Sequence, residues 1–98
     1  MTKTMDQEVA NDMMAQAEVG NYIGKRLNRI DRASRSADLD VVNQNVVALK
    51  AYLAALLHTH YIDPKQEEAF LALVEQAKDA YTLYGQEYWG IHAGHLLK

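Results

Sequence analysis

The sequence predicts an all-α protein, a small three-helix bundle built on an antiparallel helical hairpin and forming a single helical domain over residues 1–98. Three observations predict it. Apolar residues recur at three- and four-residue steps through most of the chain. There is one proline, no sustained alternation, and no Asn-Gly or Asp-Gly hairpin signal. Thr4–Gln7 and Asp63–Gln66 both read as capping boxes that open helices.

Helix one is expected over about residues 4–34. Thr4 and Gln7 cap it, and Asp6 and Glu8 sit well against the positive end of its dipole. Val9, Met13, Ile23, Leu27 and Ile30 form its apolar stripe, with a weak middle at Gln16 and Gly20. Gly20 and Gly24 are four apart, and each costs up to about 1 kcal/mol of helix propensity relative to Ala. The pair either admits another helix closely or breaks this one.

Ser34, Ser36 and Asp38 supply N-cap residues for helix two, expected over about residues 38–61. Leu39, Val42, Val46, Leu49, Leu53, Leu56 and His60 follow a seven-residue packing pattern. Val41, Val47, Tyr52, Ala55 and Leu57 widen that seam. From Val41 to Ile62 the only formal charge is Lys50. A helix so apolar needs cover on most of its circumference, from its own chain or from a partner. Asn43, Gln44, Asn45, Lys50 and the His58–His60 segment interrupt it too often for a membrane span.

Helix three is expected over about residues 64–89. Asp63 caps it, Pro64 takes the first helical position, and Gln66 completes the box. Phe70, Val74, Ala77, Tyr81, Tyr84 and Tyr88 form the apolar stripe, and Glu68, Glu75, Asp79 and Gln86 the solvated face. Gly90 and Gly94 predict a kink, a fray or a separate turn over residues 91–98.

The chain has no cysteine, which removes disulfides and thiolate metal sites and fits a reducing cytoplasm. No signal-peptide core opens it. His58 and His60 should lie at one end of the hairpin and His92 and His95 at the other, so neither metal nor cofactor is expected. There is no Gly-rich phosphate loop, no Gly-x-Ser-x-Gly and no thiol nucleophile, so no enzymatic activity is expected either.

The net charge is −3, but Lys25, Arg26, Arg29, Arg32 and Arg35 crowd a short basic segment. Positions 25, 29 and 32 share a helical face, with 26 and 35 off it. At the other end Tyr81, Tyr84, Tyr88, Trp89 and His92 form an aromatic cluster of the kind that anchors interfaces. The stripe position of Tyr81, Tyr84 and Tyr88 favours core packing, whereas Trp89, beside Gly90, is expected at the surface. The sequence therefore predicts a protein–protein interaction module, an adaptor, inhibitor or regulator of the phage- or plasmid-accessory type. Arg26, Arg29, Arg32, Tyr84, Tyr88, Trp89 and His92 are its candidate contact residues. A nucleic-acid-binding regulator using the same arginines, and a homodimer or larger helical assembly covering helix two, are the alternatives.

Overall fold

A computed structural model describes residues 5–79 and 86–97, with the side chains of residues 16–79 and 88–97. The described chain is all-α: α1 (Met5–Arg35), α2 (Leu39–His58), α3 (Pro64–Asp79) and α4 (Gln86–Leu96). The proposed cap at Thr4 and the side chains of Val9 and Met13 lie outside the described residues.

Local chemistry sets the two short connections. Asp38 caps α2, its Oδ1 accepting from the Val41 amide at 3.3 Å. The box at α3 is reciprocal: the Gln66 amide donates to Asp63 Oδ1 at 2.7 Å, and the Asp63 amide to Gln66 Oε1 at 2.9 Å. Both preceding helices end with a residue in the left-handed region, Ala37 at φ 56° and His60 at φ 63°. The amides of Asp38 and Tyr61 reach back to the carbonyls of Ala33 and Leu56, which closes each helix end. Glycine normally fills such positions; Ala37 and His60 each carry a strain of order 1 kcal/mol.

The expected third helix over residues 64–89 is corrected. α3 is described over Pro64–Asp79, and Gln86–Leu96 forms a separate helix running the other way. The Gln66 side chain, at the start of α3, donates to the carbonyl of Leu96, at the end of α4, at 2.9 Å. Gln16 Nε2 donates to the carbonyl of Leu97 at 2.6 Å, which fixes the same end of α4 to α1. Gly90 and Gly94, expected to break the helix, lie within it. The return of α4 also carries His95 to the end of the molecule where α3 begins, so the two histidine pairs do not mark opposite ends. Among the described residues no three His, Asp or Glu side chains converge to hold a metal ion.

α1 is the hub. It touches α2, α3 and α4, whereas no contact joins α2 to α4 among the described residues. Ile23, Leu27 and Ile30 of α1 meet Val42, Val46, Leu49 and Leu53 of α2, Phe70, Val74 and Ala77 of α3, and Trp89 and Ala93 of α4 in one buried core. The stripes read at helical spacing are inward from Val42 to Leu53 on α2 and from Phe70 to Ala77 on α3. The two ends of the expected α2 seam are corrected: Leu39, in the first turn, and His60, beyond the end of the helix, are both exposed.

The α1–α4 contact rests on glycines. A Cβ placed on Gly24 would lie 2.7 Å from Cα and 2.9 Å from N of Gly90. One placed on Gly20 would meet Cα of Gly94 at 3.6 Å, an ordinary contact. Of the two readings open for Gly20 and Gly24, close helix approach is the one the structure shows.

Cover on α2 is incomplete. Tyr52 and Leu57 are half-buried against the core, but Leu39 is 70% exposed and Val47 68%, and Val41 is also open. No described helix is long and apolar enough to cross a membrane.

Candidate protein-binding surface

The basic segment separates into an inward and an outward part. Arg26, expected at a contact surface, is half-buried between α1 and α2. Its Nη1 donates to Asn45 Oδ1 at 2.9 Å and its Nε to the Tyr22 hydroxyl at 3.2 Å. Asn45, buried, returns its amide to the Val41 carbonyl at 2.8 Å. Tyr22 and Tyr52 stack with ring centroids 4.1 Å apart. Arg26 is thus a tie between two helices, and its off-face position in the sequence pattern is the cause.

That network gives Tyr52 an unusual hydroxyl. Burial, reinforced by Tyr22, Tyr61 and Glu18 nearby, pushes it above the ordinary value of 10.0. The folded chain then keeps a proton that the unfolded chain gives up. Stability from this group is full below about pH 10 and is lost as pH rises through the folded value. Urea melts across the alkaline range should show Tyr52→Phe losing stability less steeply than the parent above about pH 10. Equal slopes would show that Tyr52 titrates as a free phenol.

The outward part is Lys25, Arg29 and Arg32. All three are exposed on one ridge of α1, as their spacing predicted. Seven residues of helix put the outer two about 10 Å apart. The ion pairs among the described residues are Arg35–Asp31 and Lys78–Glu75, so none of these three cations has a carboxylate. α2 and α4 flank the ridge, and Asn21 continues it towards Ile91 and His95 on α4, across an open groove that also takes in Gly20, Gly90 and Gly94.

The aromatic end is rearranged. Trp89, expected at the surface, is completely buried. Its Nε1 donates at 3.0 Å to Oδ2 of Asp31, a carboxylate only 1% exposed. Arg35 Nε stands 3.2 Å from Asp31 Oδ1, an ion pair without hydrogen-bond geometry. Tyr88 is half-buried, edge-on to Trp89 at 5.0 Å and tilted on His92 at 4.2 Å. His92 is exposed. Tyr84 lies outside the described residues.

Of the candidate contact residues, then, Arg29, Arg32 and His92 present themselves to solvent, Tyr88 does so in part, and Arg26 and Trp89 turn inward. Lys25 belongs with the first group. Asp31 is a buried acid inside a basic segment, four residues before Arg35, and nothing in its local sequence marks it as inward. Comparison with family models, with curated proteins and with solved structures finds no match to this chain.

Proposed function

We propose that this protein is a non-catalytic interaction module, an adaptor, inhibitor or regulator that engages an acidic protein surface through Lys25, Arg29 and Arg32. One observation carries the reading: three aligned, exposed cations with no carboxylate partner among the described residues, on a chain whose net charge is −3. Such a ridge steers an acidic partner into register and speeds encounter more than it adds affinity. His92 and the exposed edge of Tyr88 extend the candidate surface on α4. A cytoplasmic accessory protein acting on a host complex is the setting that fits a cysteine-free chain of this size.

Nucleic acid is the second reading, and the short ridge argues against it. Three cations over about 10 Å neutralise about three phosphates, which supports only weak binding at ordinary salt. Glu68, Glu75 and Asp79 on α3 repel any polyanion that spreads further around the molecule.

The triple variant K25E/R29E/R32E should keep its far-UV dichroism and lose capture of its protein partner from source-cell lysate. A reversal on α3, E68K/E75K, should leave capture intact. Capture undiminished by the triple reversal would sink the assignment. Tight binding of mixed-sequence duplex to the parent, falling steeply with salt, would transfer the ridge to nucleic acid.

A further inference from the structure

We propose that the outer face of α2 is a self-association surface: a second copy of the chain docks antiparallel across it, about a two-fold axis level with Asn45. Asp40 of each copy then pairs with Lys50 of the other.

The exposed side of α2 runs through Leu39, Asn43, Gln44, Val47, Ala51 and Ala54. It leaves Leu39 and Val47 more than two-thirds exposed. Such a face excludes water when a surface of matching shape covers it. Small residues at 51 and 54 leave room for the backbone of another helix.

The charges select the occupant. Within Leu39–His58 only Asp40 and Lys50 are formally charged, and they are opposite in sign. Neither has an ion-pair partner among the described residues. Lys50 overlooks a groove lined by Glu67, Glu68 and Glu75, yet pairs with none of them. Ten residues of helix separate Asp40 from Lys50 by about 15 Å. Two copies laid parallel in register would set Lys50 on Lys50 and Asp40 on Asp40. Laid antiparallel about the midpoint, they make two opposite-charge pairs, as a closed isologous contact requires.

The same register sets Val47 of one copy beside Asn43 of the other, with Leu39 and Ala51 on opposite flanks of the seam. Gln44, one residue from the axis, carries a donor and an acceptor that can meet its own counterpart. One helix face per copy buries less than about 1,200 Å² in total, so the dimer dissociates readily. The basic ridge of α1 is not used, and the dimer stands independently of the function proposed for it.

Sedimentation equilibrium from low to several hundred micromolar should show a monomer–dimer equilibrium for the parent. D40K and K50D, each alone, set like charges across the axis twice and should weaken the dimer about tenfold. The double variant D40K/K50D restores both pairs and should recover the parent constant to within about threefold. V47E should favour the monomer, and K25E/R29E/R32E should leave the equilibrium unchanged. A parent that stays monomeric throughout overturns the proposal. So does a dimer that the two single reversals leave untouched, or one that the double reversal fails to restore.

Discussion

Trp89→Ala is expected to remove a large share of the stability of this domain. Emptying a buried indole site costs about 3–5 kcal/mol, against a total of about 5–15 for proteins of this kind. Asp31 adds to the loss, because its buried Oδ2 forfeits the indole donor 3.0 Å away. Trp89→Phe separates the two effects. It keeps an aromatic ring in the core and removes the N–H, and should cost about 1–3 kcal/mol for the stranded carboxylate oxygen.

The matched test is a double-mutant cycle with Asp31→Ala. Removing the carboxylate abolishes the reason that Phe is worse than Trp at position 89, beyond the difference in ring size. The coupling should reach about 1.5–3 kcal/mol, the range for a hydrogen bond to a charged group. Urea unfolding followed by far-UV dichroism reads all four proteins. Trp89 is the only tryptophan, so its emission reports on α4 directly in the parent and in Asp31→Ala. Additive losses would mean that Asp31 and Trp89 are buried beside each other without depending on each other.

The sequence carried the inward faces and the caps of α2 and α3, because each is a local matter of spacing or of a side chain reaching a near amide. The reversal after Asp79 was hidden by a coincidence of spacing. Tyr81, Tyr84 and Tyr88 continue the Phe70–Val74–Ala77 stripe without a break, and periodicity does not record where a chain doubles back. The same coincidence hides Trp89: in the register of helix three it falls to one side of the stripe, whereas α4 packs it against α1. The basic segment shows both outcomes. The helical wheel set Arg26 apart from Lys25, Arg29 and Arg32 and so held the clue to its inward role. Nothing local told Asp31 from the charges around it, since its donor lies 58 residues away.

Gly24→Ala should separate α4 from α1, although alanine is the better helix former. Its methyl would fall 2.7 Å from Cα of Gly90 and 2.9 Å from the nitrogen, and both are backbone atoms that no rotamer can move aside. Overpacking against such a wall costs about 1–3 kcal/mol or more, which outweighs the gain of up to about 1 kcal/mol in propensity. The other three glycines of the seam make the comparison sharp. Gly20→Ala meets contacts no closer than 3.6 Å, and added methyls at Gly90 or Gly94 meet nothing within 4 Å. These three changes should be neutral or stabilise the protein by up to about 1 kcal/mol through propensity alone. One residue out of four therefore carries the constraint, and it does so because its Cβ direction points at the opposing backbone while those of Gly90 and Gly94 point into open space. Thermal melts of the four single variants test this, with a drop of several degrees expected for Gly24→Ala and none for the rest. If Gly24→Ala melts as high as the parent, the helices are not held at backbone contact. If Gly90→Ala or Gly94→Ala falls with it, the seam is tight on both sides.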